Sequence, residues 1–211
     1  MTGGEQRETP IENPDHLGGR LPLRYPHQLG TDQRAVHEAL SNLVVPEGHH
    51  SGFTTRLADG RFIGPFNAML RNPRITAGFG EWVRAIVETG LPEEVRQAVI
   101  LTVAAHWRAP YEIYAHTAAA RTAGISDAAI DAILGGTPPT DLTPAAASAQ
   151  RLATSLLRHH DVPDELYGEL HGLFGEPGMI ALLALLGQYQ TVSSLLITFR
   201  VPAPTGSTGD H

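Results

Sequence analysis

Residues 92–116 read PEEVRQAVILTVAAHWRAPYEIYAH, and this stretch decides the fold. Pro92 sits where a first-turn proline belongs, and Glu93 and Glu94 complement the positive end of a helix dipole. Val95, Val99, Thr102, Val103 and His106 form one stripe at helical spacing. Pro110 then opens a second, Ala-rich helix on which Glu112 and His116 lie four residues apart and project from one face, which continues through Ala119 and Ala123. The reading is two helices meeting at a short break, with polar and aromatic side chains gathered at the junction.

Working outward, apolar residues recur at three and four positions and β-branched alternation is nearly absent, so an all-α fold is expected. Thr31-Asp32 can cap a helix to about Val44, followed by a loop at Pro46-Glu47-Gly48-His49-His50-Ser51-Gly52. Gly64-Pro65 introduces a short helix carrying Phe66, Met69 and Leu70, and Pro73 to Glu88 gives another. Beyond the central pair, Ser126-Asp127 caps a short helix reaching Leu134. Thr137 to Asp141 reads as a linker, and Thr143-Pro144 starts a helix to about His159. Pro163 to Leu173 and Pro177 to Phe199 complete roughly nine helices by this reading. Residues 1–30 are expected to form a flexible N-terminal arm or a wrapping segment, residues 31–202 the helical domain, and residues 203–211 a loose tail.

Composition narrows the chemistry. The chain has 211 residues and no cysteine, which removes disulfides, thiolate metal sites and thiol redox relays. The net charge is −7, and the basic residues are all arginines without a run, which argues against nucleic acid or an anionic membrane as partner. Residues 118–130 imitate a helix-turn-helix, yet Asp127 and Asp131 lie where a recognition helix needs basic side chains. The N-terminus lacks an apolar signal-peptide core, and the apolar run from Met179 to Gly187 falls short of the ~20 residues that cross a bilayer. A cytoplasmic protein is the expectation.

His106, Trp107, Tyr111, Glu112, Tyr114 and His116 form the densest cluster of functional side chains. A carboxylate beside an imidazole fixes its tautomer and tunes a group that moves protons near neutral pH. The plainer reading is an ordinary i, i+4 Glu–His pair. His49-His50 reads as an exposed loop pair, and His159-His160 suits the end of a helix.

Four blocks carry a family resemblance: Gly64 to Leu70; Leu91-Pro92 through Val103; His106-Trp107 with Tyr111-Glu112 and His116; and Leu182 to Pro202, including Gly187-Gln188-Tyr189. Together they resemble the carboxymuconolactone decarboxylase and alkylhydroperoxidase-D-like proteins over roughly Arg61 to Pro202. The resemblance implies an all-helical fold and a homo-oligomer, a trimer or a multiple of it. In the peroxidase branch the motif is a Glu, two Cys three apart and a His four beyond; counted back from His116, those places hold Gln97, Ala109 and Glu112.

Peroxidatic chemistry is therefore not implied, and the chain is more similar to the cysteine-free, decarboxylase-like branch. That branch implies a cofactor-independent lyase acting on a small carboxylated lactone or keto acid. The expected catalytic residues are His116 as proton donor and Glu112 orienting it, with His106, Trp107, Tyr111, Tyr114 and Arg96 shaping the pocket or attracting a carboxylate. His106, Glu112 and His116 also match a two-His-one-carboxylate metal set, but the resembled family works without metal, and neither metal nor cofactor is expected. The same acid–base pair suits a dehydratase, isomerase or cyclase, and Gln97 in the place of the family Glu motivates a non-catalytic scaffold as a further alternative.

Overall fold

The computed structural model describes residues 14–204. Eight helices run in order: α1 (Thr31–Ser51), α2 (Gly64–Met69), α3 (Pro73–Glu88), α4 (Glu93–Trp107), α5 (Pro110–Thr122), α6 (Asp127–Gly135), α7 (Pro144–His159) and α8 (Asp164–Phe199). No strand occurs among the described residues, so the all-α expectation holds.

Helix α4 is the axis of the domain. Val95 and every residue from Gln97 to Ala104 are buried, which is the pattern of a helix surrounded on all sides. Helices α5, α6, α7 and α8 supply the surround. Ala98, Ala146, Ala149 and Ala153 are buried in one cluster, and their small side chains allow α4 and α7 to approach closely. Leu170, Leu182 and Leu185 of α8 close the same core.

Two departures from the sequence reading, and one agreement with it, have local causes. The segment Pro46 to Ser51, expected as a loop, continues α1, and His49 and His50 lie exposed in its last turn. Proline removes one N–H and does not by itself end a helix. The stop comes at Gly52, whose φ of 80° gives a left-handed cap. The two C-terminal helices expected from the sequence are present as the two arms of α8, which meet at a kink at Gly175 with φ 61° and ψ 178°. A residue with a Cβ avoids that combination, so the interruption stands where the sequence placed a gap between helices. Of the proposed arm, residues 14–30 lie packed on the domain; residues 1–13 and 205–211 lie outside the described residues. Leu17, Leu23 and Leu29 are buried, Arg20 donates its backbone N–H to the carbonyl of Phe199, and Arg61 pairs with Asp15 and Asp59 while covering the ring of Tyr25.

By length and composition alone α8 is long and apolar enough to cross a membrane, and 44% of its most apolar window is buried inside the domain. Its exposed Ile180 and Leu183, with Ile75, Trp82 and Val87 on α3, are the larger apolar side chains left on this part of the surface.

Gly64 opens α2 with φ +64°, and a Cβ there would run into the ring of Tyr111. Replacing it, Gly64→Ala, combines a left-handed backbone with overpacking and is expected to cost about 2–4 kcal/mol. Thermal unfolding followed by circular dichroism should show the melting temperature fall by roughly 5–15 °C.

Candidate active site

A cavity of about 350 Å³ lies where α1, α2 and α3 face α4, α5 and α8. Most of its polar wall comes from three helices. Glu93, Arg96 and Gln97 come from the first two turns of α4, Glu112 and His116 from α5, and Gln188 and Tyr189 from α8. The remaining wall is largely apolar and includes Phe53, Phe66, Met69, Phe79 and Val83.

Glu112 is 1% exposed, and the hydroxyl of Ser193 donates to its Oε2 at 2.9 Å. Its Oε1 has no partner among the described residues. Burial disfavours the charged form and pushes the Glu112 carboxyl up to about 8, against the smaller opposing effect of the Ser193 hydrogen bond. At neutral pH Glu112 is accordingly a carboxylic acid holding a proton.

His116 is governed by a different set of groups. Arg96 pairs with Glu93 at 2.9 Å, the Gln97 amide nitrogen donates to Glu93 at 2.6 Å, and Gln97 Oε1 lies 2.9 Å from His116 Nδ1. A carboxylate only accepts, so Glu93 turns the Gln97 NH2 toward itself and its carbonyl toward His116. That carbonyl can only accept, which places a proton on Nδ1 and leaves the lone pair of the neutral ring on Nε2. Burial, and then the Arg96 charge, hold the imidazole down to about 3. The Tyr189 ring meets it edge-on at 5.0 Å and 89°, and burial followed by the proximity of Glu112 keeps the Tyr189 phenol protonated.

The expected relation between Glu112 and His116 is thus revised. Both line the cavity, but each is hydrogen-bonded to another helix: Glu112 to Ser193 on α8 and His116 to Gln97 on α4. The expected acid is an unprotonated base, and the expected orienting carboxylate is the proton-bearing acid.

Arg96 and Tyr111 do line the cavity, although Tyr111 commits its hydroxyl to the Thr54 carbonyl at 2.7 Å. His106, Trp107 and Tyr114 do not. Ten residues of α4, ~15 Å of helix rise, separate His106 from Arg96, so His106 ends exposed at the far end of the helix. Trp107 packs between two apolar clusters, and the Tyr114 hydroxyl accepts from the Thr54 backbone N–H. Gln97, Gln188, Tyr189 and Ser193 were not singled out as site residues. The available signal was polarity within apolar helices, since Gln97, Gln188 and Ser193 are buried and a buried polar side chain needs a partner.

Five buried side-chain atoms lack a partner among the described residues, and three of them, Arg96 Nε, Glu112 Oε1 and Gln188 Oε1, belong to the cavity wall. These three atoms give the wall hydrogen-bonding capacity that the described residues do not use. His, Asp and Glu do not cluster into a metal-binding group of three or more among the described residues.

Residues 73–155 match the model of the carboxymuconolactone decarboxylase family, a span from α3 into α7 that carries Arg96, Gln97, Glu112 and His116. The resemblance drawn from the sequence is borne out to that extent. The fold is similar to a crystal structure described as the alkylhydroperoxidase AhpD core, an uncharacterized peroxidase-related protein from Ralstonia eutropha JMP134. The two share 16% identity with a TM-score of 0.67, over 88% of this chain and 92% of the other. No curated protein matches the sequence.

The opposed protonation states set the pH dependence of stability. His116 is neutral when folded and ordinarily titrates at 6.5, so its burial costs stability below that value, and stability rises as pH climbs from about 3 to 6.5. Glu112 ordinarily titrates at 4.5 and holds its proton to about 8 when folded, so its contribution is complete below 4.5 and is lost as pH rises to 8. Between 4.5 and 6.5 the two slopes oppose each other. Denaturant unfolding across this range should therefore show a decline from pH 6.5 to 8 that Glu112→Gln removes; a decline untouched by that variant would mean that Glu112 is ionised in the folded protein.

Proposed function

We propose that the cavity of this carboxymuconolactone decarboxylase-like chain is the active site of a cofactor-independent carboxy-lyase acting on a lactone or keto acid. The observation that supports it most directly is a proton-bearing Glu112 in the wall that also presents Arg96. Arg96 draws the substrate carboxylate into the cavity. As the bond to the carboxyl carbon breaks, carbon dioxide leaves and the bonding pair moves into the adjacent carbonyl, giving an enolate. The Tyr189 phenol, which keeps its proton, donates a hydrogen bond to that oxygen. Glu112 delivers its proton to carbon; the carboxylate so formed keeps the Ser193 hydrogen bond and regains a proton from solvent.

Peroxidase-related chemistry, which the name of the structural neighbour suggests for that protein, is not carried over. Ala109 and Glu112 hold the places where the resemblance puts the two sulfurs, and the sequence contains no cysteine. A second reading is favoured by one observation, the unprotonated Nε2 of His116. A base and an acid in one cavity can remove a proton beside a carbonyl and return one elsewhere, which is isomerisation or dehydration. In either case the working form is read as a cytoplasmic homo-oligomer of trimeric type, with the exposed apolar residues of α3 and α8 as its contacts. Light scattering checks that assembly, and a monomer at micromolar concentration refutes it.

Carbon dioxide release from a panel of lactone and keto acids separates the readings. Decarboxylation through Glu112 requires Glu112→Gln to lose about 10²–10⁴-fold in kcat and the parent rate to fall above pH ~8, with His116→Ala less affected. The proton-shuttling reading requires His116→Ala to lose as much as Glu112→Gln, with solvent deuterium entering the product and no carbon dioxide. A folded protein that turns over neither kind of substrate is a scaffold.

A further inference from the structure

We infer that the cavity selects a ligand with an apolar body and a single acidic head, and rejects small dicarboxylates. The inference rests on the active-site reading above and narrows its substrate class.

Charge carries the first half. The ionisable side chains of opposite formal charge on the cavity wall are two carboxylates, Glu47 and Glu93, against one guanidinium, Arg96. Glu112 and His116 add no charge at neutral pH. Arg96 already shares its charge with Glu93, and Glu93 is further held by Gln97. One incoming carboxylate can compete for Arg96, whose Nε lacks a partner. A second finds no cation on the wall and must be desolvated uncompensated, with exposed Glu47 on α1 repelling it.

Shape carries the second half. The uncommitted polar groups belong to α4, α5 and α8, whereas α2 and α3 contribute Phe66, Met69, Phe79 and Val83. The polar exception there, Thr76, spends its hydroxyl on the Met69 carbonyl. A volume of about 350 Å³ is within the range of sites for drug-sized ligands, ~300–1,000 Å³, and exceeds what a small polar acid fills. A short dicarboxylate would leave the aromatic wall wet; a bicyclic or chain-bearing monoacid covers it.

Calorimetric titration of the full chain with 2-naphthoate, 2,6-naphthalenedicarboxylate and succinate tests this without requiring turnover. Expected are measurable binding of 2-naphthoate, at least about 30-fold weaker binding of the naphthalenedicarboxylate, and no detectable succinate binding. Glu47→Gln should raise the dicarboxylate affinity several-fold more than it raises that of 2-naphthoate, and Phe79→Ala should weaken 2-naphthoate about tenfold. Succinate or the dicarboxylate binding as tightly as 2-naphthoate, or failure of 2-naphthoate to bind a folded chain, overturns the inference. The outcome is separable from that of the proposed reaction: selective 2-naphthoate binding without carbon dioxide release from any keto acid sinks the lyase reading alone. Carbon dioxide release from small diacids sinks the selectivity alone.

Discussion

The structure depends on one constraint: α4 is enclosed on all sides and must still carry a polar side chain through its apolar surroundings. Gln97 is buried in a run that is otherwise apolar apart from Thr102, and it is tolerable there because both ends of its amide are used. One end satisfies Glu93 one turn earlier on the same helix, and the other meets His116 on α5. The amide thus joins a charged helix entrance to a neutral imidazole and sets that ring's tautomer. A glutamate in its place would accept from His116 and bring a second carboxylate beside Glu93; the amide keeps the imidazole neutral and the local charge low.

A second consequence is that acid and base are kept apart by being tied to different neighbours. Glu112 and His116 share one face of α5, yet Ser193 and Gln97 hold them separately. Burial then shifts them in opposite senses, raising the carboxyl and lowering the imidazole. The result is an acid that stays protonated and a base that stays unprotonated over the same pH interval, within a wall whose remaining polar atoms are under-satisfied.

Much of this was legible in the sequence because helices announce themselves through period and punctuation. The Ser126 and Thr143 caps and the prolines opening α3, α5 and α7 follow from local chemistry, whereas α1 is capped by Gly30 rather than by the expected Thr31-Asp32. Glu112 and His116 were legible as a pair because four residues make one turn. Their partners were not, since Gln97 and Ser193 lie 19 and 81 residues away from the side chains they hold, and no local pattern encodes which helices meet. The same limit misplaced His106, Trp107 and Tyr114: closeness in sequence to the junction was read as closeness to the site. In fact α4 runs away from the cavity after its second turn. Residues 14–30 take the wrapping alternative rather than the flexible arm, and their Gly- and Pro-rich composition hides three leucines that are buried against the domain.

The contact between Arg20 and the end of α8 has a kinetic meaning. Its side chain bonds the Thr198 carbonyl across 178 residues, a separation that makes closure entropically expensive. Contacts of that range repay their closure entropy most readily once the intervening helices are in place. The cluster they complete contains Leu17 and Leu23 together with Tyr111, Ala115, Val192 and Leu196, and the last four also line the cavity. Seating of residues 14–30 therefore couples the two ends of the chain to the site, because it supplies the backing of one side of the cavity wall.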